Sequence, residues 1–127
     1  MEIGDTLLLQ DKSIDEHLWV VISQAHVDPD HVVIVNLTSH DDQEKDSSCV
    51  LDVEDHPWIK HKTSVRYRDA RIAKDAELDL LVKTGALKTL APASDALIGR
   101  ILDGAQSTVH LPMKCRAILE AQGLIER

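Results

Sequence analysis

The chain has 127 residues, 43% of them hydrophobic, and a formal net charge of −8 at pH 7. That length suits one domain, or one domain with a small subdomain, and it buries enough surface to fold without disulfide or metal staples. The acid balance excludes a general nucleic-acid coat, whose footprint is basic overall, but not a local basic site.

Aromatic residues make up 2% and Phe is absent, so aliphatic side chains must fill the interior. Cys49 and Cys115 are far apart in sequence. With no secretory signal and no apolar run of membrane length, the expectation is two reduced thiols in a cytoplasmic protein that has no membrane partner.

Taken in order, Thr6–Gln10 (TLLLQ) reads as a buried first strand, with Leu7 and Leu9 facing one side and Leu8 the other. Residues 11–16 are polar and turn-like. His17–Gln24 (HLWVVISQ) is a second strand rich in β-branched residues, with Trp19 expected in the core. Asp28-Pro29-Asp30 is a turn, because Pro presets φ and Asp tolerates turn geometry. His31–Thr38 (HVVIVNLT) is a third strand, apolar on both faces, as expected for the centre of a covered or closed sheet. Ser39–Ser48 is the longest polar run and reads as a mobile surface loop. Cys49–Val53 resumes a short strand, which Pro57 breaks.

Thr63–Ala73 is the last strong strand, alternating Ser64, Arg66, Arg68 and Ala70 against Val65, Tyr67, Asp69 and Arg71. These β segments point to a small barrel or sandwich over residues 1–73. Residues 74–127 read as a helical extension packed on or beside it. A first helix spans Ala76–Thr84 with Asp75 as N-cap and Gly85 past its end. Leu87–Pro92 is a connector. Ser94 caps a second helix with the stripe Leu97, Ile98, Ile101 and Leu102, which Gly104 stops. Pro112 starts a third helix with the stripe Met113, Ala117, Ile118 and Ala121, and Gly123 ends it.

The segment His56–Ile72 concentrates two histidines, a tryptophan, the sole tyrosine and several cations in an otherwise acidic chain. If the strands pair antiparallel, His17 at the start of one lies near Thr38 at the end of its neighbour. His56, Lys60 and His61 then close over the same end. Metal-independent cleavage of RNA, an activity implied by the family resemblance described below and not by the spacing of these residues, needs a base for the 2′-hydroxyl proton, an acid for the leaving oxygen and positive charge at the phosphate. Histidine serves either proton transfer near neutral pH. The candidate catalytic set is therefore His17 and His61 as the proton-transfer pair, with Thr38 positioning the phosphate. Ser39, Trp58, Lys60, Arg66, Tyr67 and Arg68 form the candidate RNA-binding set, offering stacking and phosphate contacts. The competing reading has these histidines capping strands, Trp58 plugging the core and the cations solvating an edge strand. No metal or other cofactor is expected, since the His56–His61 spacing fits neither a helical pair nor a finger and the cysteines offer no CxxC.

Four features together resemble the PemK/MazF-like toxin family over roughly residues 3–72. They are Gly4-Asp5 opening a strand, an early apolar strand ending in Ser23, the run Val35-Asn36-Leu37-Thr38-Ser39, and a late Ser64-Val65-Arg66. The resemblance implies a small SH3-like barrel followed by two or three short helices, a homodimer, and metal-independent endoribonuclease activity restrained by a cognate antitoxin. Members commonly begin the early strand with Arg-Pro and use that Arg at the scissile phosphate; His17 and Leu18 stand at the matching positions, while Thr38 matches the family's hydroxyl. The alternative is a non-catalytic interaction module that has kept the barrel and lost the Arg.

Overall fold

The computed structural model describes residues 1–9, 17–25, 30–41 and 46–127. The expected turn over 11–16, the Asp28-Pro29 part of the next turn and residues 42–45 of the polar run lie outside the described residues.

Among the described residues the order of elements is β1 (Thr6–Leu9), β2 (Leu18–Val21), β3 (His31–Ser39), β4 (Val50–Leu51), β5 (Thr63–Lys74), α1 (Asp75–Lys83), β6 (Leu87–Thr89), α2 (Asp95–Ser107) and α3 (Met113–Ala121). The strands pair antiparallel in one open sheet, ordered β4-β5-β3-β2-β1-β6. The molecule is thus mostly sheet, with helices concentrated after residue 74.

Period-two alternation divides the central strands into two apolar sets, and each demands its own cover. Leu18, Val20, Val33, Val35 and Leu37 share one core with Val65 and Tyr67, and α2 and α3 close it through Leu97, Ile101, Cys115 and Leu119. Val21, Val32 and Ile34 point the other way and pack with Leu7, Leu87 and Leu78 of α1. Helices therefore lie on both faces of the sheet. β6 comes from the C-terminal part of the chain yet pairs with β1, matching Leu7 to Thr89 and Leu9 to Leu87. The stretch expected as a connector is recruited as a strand because β1 would otherwise present an unpaired edge.

Local chemistry accounts for the helix ends. Ser94 caps α2 as expected, its hydroxyl accepting from the Leu97 amide at 3.1 Å. Asp75 is the first residue of α1 and not its cap; the Met1 ammonium donates to its carboxylate at 2.7 Å. Gly104 does not stop α2, which continues to Ser107, and the reason for a glycine there is tertiary. Gly123, at φ 70°, follows α3 in the left-handed region that glycine tolerates.

The buried stripe of α3 is Cys115 and Leu119, while Met113 is 83% exposed and Ala117 and Ala121 face out. Arg116 fixes this rotation by donating to the Ala105 and Thr108 carbonyls, each at 2.9 Å. The end of the acidic run is anchored, not loose: the Asp46 carboxylate accepts from the Ser48 and Thr108 hydroxyls at 2.6 and 2.9 Å.

Both cysteines are free and buried. Burial pushes the Cys49 thiol up, against the opposing pull of Arg100, and burial alone pushes up Cys115. The Tyr67 phenol is driven up the same way, with Cys49 adding to the effect. For such groups the folded state prefers the protonated form. Their contribution to stability is full below the unfolded-state pKa and is lost as pH rises above it toward the folded one. Thermal unfolding is therefore expected at falling temperatures above about pH 8.5, the ordinary thiol value. Both thiols should resist an alkylating reagent until the chain unfolds. Rapid labelling of native protein at pH 8 would contradict this burial.

Candidate functional site

The second face of the sheet carries a series of cross-strand rows. Leu7 pairs with Trp19, Trp19 with Asn36, and Asn36 with Arg66, so these four side chains lie in one row across β1, β2, β3 and β5. One row further on, Thr38 pairs with Ser64, and the residue before Leu18 brings His17 beside Thr38. Here the sheet ends and the segment from His56 to Lys62 folds over it.

Two buried side chains pin that segment. Ile59 is 2% exposed within the main core, and His56 is 3% exposed. The His56 ring is held at both nitrogens: Nδ1 accepts from the Trp58 amide at 3.0 Å, and Nε2 donates to the Ala91 carbonyl at 2.6 Å. These partners define the Nε2–H tautomer. His56 is thus a structural tie that joins its own turn to the distant Ala91 carbonyl. Replacing it by Ala leaves a buried amide and a buried carbonyl without partners, and a loss of roughly 2–4 kcal/mol is expected in urea unfolding. A change below about 0.5 kcal/mol, the scale of an ordinary surface substitution, would show that the ties carry no weight.

With His56 and Ile59 pinned inward, Trp58, Lys60 and His61 come to the cleft. It measures about 520 Å³, and His17, Thr38, Ser39 and Thr63 complete its lining. The Ser39 hydroxyl and His61 Nε2 are 2.7 Å apart. The turn behind them is fixed by Thr63 Oγ1, which donates to the His61 carbonyl at 2.9 Å, and by the His40 amide, which donates to the Lys62 carbonyl at 3.0 Å. His17 Nδ1 donates to the Leu37 carbonyl at a long 3.4 Å, which directs Nε2 away from the backbone. Lys60 Nζ donates to the Pro57 carbonyl at 2.9 Å and remains exposed.

Six of the nine sequence-derived candidates therefore surround one cleft: His17, Thr38, Ser39, Trp58, Lys60 and His61. Arg66 lies in the neighbouring row, 3.7 Å from Asp69, and Arg68 is exposed outside the cleft lining. Tyr67 requires correction. It is fully buried on the opposite face, where its hydroxyl donates to the Ile101 carbonyl at 2.6 Å, so it has no ring face to offer a base. The signal was present in the alternation, since Tyr67 shares its parity with Val65, an obvious core residue. Trp19, expected in the core, is half-buried, with the Arg71 guanidinium 5.2 Å from its ring centroid.

A second cavity of about 420 Å³ adjoins the first, and His17 lines both. Its polar contributors are Asn36, Asp69 and Arg71 together with Trp19. Sequence reading missed Asp69 and Arg71 because β5 does not alternate evenly. Ile34 pairs with Arg71 but Asn36 with Arg66, so β5 accumulates extra residues opposite Val35. Such a bulge re-aims the side chains it carries.

Among the described residues, no three His, Cys, Asp or Glu side chains converge as metal ligands, and no helix is long and apolar enough to cross a membrane. No protein-family model and no curated protein matches the chain.

Proposed function

We propose that the cleft binds single-stranded RNA and cleaves it by metal-independent transesterification. The observation that carries this reading is the meeting of two histidines and three hydroxyl side chains in one cleft, with a lysine and an indole at its rim. His61, its Nε2 hydrogen-bonded to Ser39, removes the proton from a ribose 2′-hydroxyl. The 2′ oxygen attacks phosphorus, the bond to the 5′ oxygen breaks, and His17 Nε2 delivers the proton that oxygen needs. The products are a 2′,3′-cyclic phosphate and a free 5′-hydroxyl. Lys60 balances charge at the phosphate, Thr38 hydrogen-bonds to it, and Trp58 stacks on a neighbouring base.

The reading extends to a toxin-like ribonuclease built on a PemK/MazF-type barrel layout, acting as a homodimer and held in check by a protein antitoxin. His17 in place of the family's Arg supports a second reading, a non-catalytic module that binds its partner through this face. Incubating the purified chain with RNA in the presence of EDTA separates the two. Cleavage leaving cyclic phosphate ends, blocked by a single 2′-deoxy substitution at the cut, supports the ribonuclease; intact RNA under all conditions supports the module.

A further inference from the structure

The second cavity holds a polar group that has no hydrogen-bond partner among the described residues. Asn36 is 5% exposed, and its Oδ1 makes no hydrogen bond to any of the described residues. Buried acceptors in native proteins almost always find a donor, so an orphan one lining a cavity calls for a reason. The rest of the cavity suggests one. Leu7, Leu78 and Leu87 give it an apolar floor, and its volume of about 420 Å³ lies within the range of roughly 300–1,000 Å³ typical of small-molecule sites. The same cavity is lined by a second acceptor, the Asp69 carboxylate, which lies 3.7 Å from Arg66 Nε, and by the Arg71 guanidinium, which sits over the Trp19 ring at 5.2 Å from its centroid.

We propose that this cavity is a nucleobase subsite that selects a base bearing an exocyclic amine, adenine or cytosine. An exocyclic amine has two hydrogens, and the site has two acceptors: Asn36 Oδ1 takes one and the Asp69 carboxylate takes the other. The Asn36 amide nitrogen then faces the adjacent ring nitrogen, which in both bases is an acceptor. The flat face of the base lies against the Arg71 guanidinium, whose plane Trp19 supports. Uracil and hypoxanthine put a carbonyl where the amine stands, so they bring an acceptor against two acceptors. Because His17 lines both cavities, the base bound here belongs to the nucleotide joined to the phosphate in the cleft. This placement rests on the RNA reading above; the amine preference itself does not.

Titrating the whole protein with AMP, IMP, CMP and UMP by calorimetry or NMR tests the subsite without any cleavage. AMP is expected to bind about tenfold or more tighter than IMP, and CMP likewise tighter than UMP, the discrimination of one good paired contact. Asn36→Leu keeps the side-chain size and removes the orphan acceptor. It is expected to retain the melting temperature and lose the AMP-over-IMP preference. Asp69→Ala, at a half-exposed position, provides a second variant that should weaken the same preference. Equal binding of AMP and IMP, absence of any nucleotide binding, or an unchanged preference in both variants overturns the proposal. If RNA stays intact while AMP is still preferred over IMP, the cleavage reading falls and the subsite stands. If RNA is cut with no base preference and no AMP binding, the subsite falls and the cleavage reading stands.

Discussion

Replacing His61 by alanine is expected to lower RNA cleavage by about 100- to 10,000-fold, the usual contribution of a positioned proton-transfer group. The fold should be indifferent to the change. His61 is exposed, and its ring bonds to an exposed serine, so the loss in stability should stay within about 0.5 kcal/mol. This separation of activity from stability makes the substitution informative, and the companion His17→Ala is expected to behave alike. Ser39→Ala should cost far less, because the hydroxyl orients the imidazole and transfers no proton to substrate. Lys60→Ala should raise KM more than it lowers kcat, since a rim cation contacts the phosphate in ground state and transition state alike. Purifying the variants alongside the parent also disposes of contaminating nuclease, which no substitution in this chain would remove. Cleavage by His61→Ala and His17→Ala within twofold of the parent would end the proton-transfer assignment.

The cleft was legible in the sequence because it depends on few assumptions. Antiparallel pairing of the second and third strands suffices to bring His17 to Thr38, and the observed register extends to that pair from Leu18 opposite Leu37. The Pro57 break then leaves the His61 segment little choice but to fold over the same end. The neighbouring cavity was not legible, because it depends on a bulge that period-two reading cannot see and on Asn36 lying inside an otherwise apolar strand. β6 escaped for a different reason. Its three residues, Leu87–Thr89, are too few to show any period, and the edge of β1 recruits them. Of the α3 stripe Met113, Ala117, Ile118 and Ala121 only Ile118 packs against the core, because helical period alone weights small alanines like larger apolar groups. Its true buried face, Cys115 and Leu119, is set by the Arg116 tie to α2, a contact between elements that no pattern within the helix encodes.

Gly104→Ala is the substitution expected to damage the fold most, and the argument shows how tertiary contact overrides local preference. In an isolated helix the change would stabilise by about 1 kcal/mol. Here a Cβ would overlap the Tyr67 hydroxyl, with Cys49 Cβ at 2.9 Å and the Ser48 carbonyl at 3.0 Å. All three neighbours are constrained: Tyr67 is fully buried and bonded to the Ile101 carbonyl, Cys49 is buried, and Ser48 is tied to Asp46. Overpacking costs typically 1–3 kcal/mol, and displacing the phenol breaks a buried hydrogen bond worth about 1 kcal/mol more. The net loss expected is about 1–3 kcal/mol after the helix gain is subtracted, which lowers the melting temperature by several degrees in a chain of this size. Tyr67→Phe removes the atom that collides. The double variant Gly104→Ala/Tyr67→Phe should therefore be more stable than the sum of the two single effects allows, with a coupling of at least about 0.5 kcal/mol. Additive effects, or a Gly104→Ala protein that melts with or above the parent, would mean that α2 does not approach β5 as closely as described, and the burial of Tyr67 would lose its explanation.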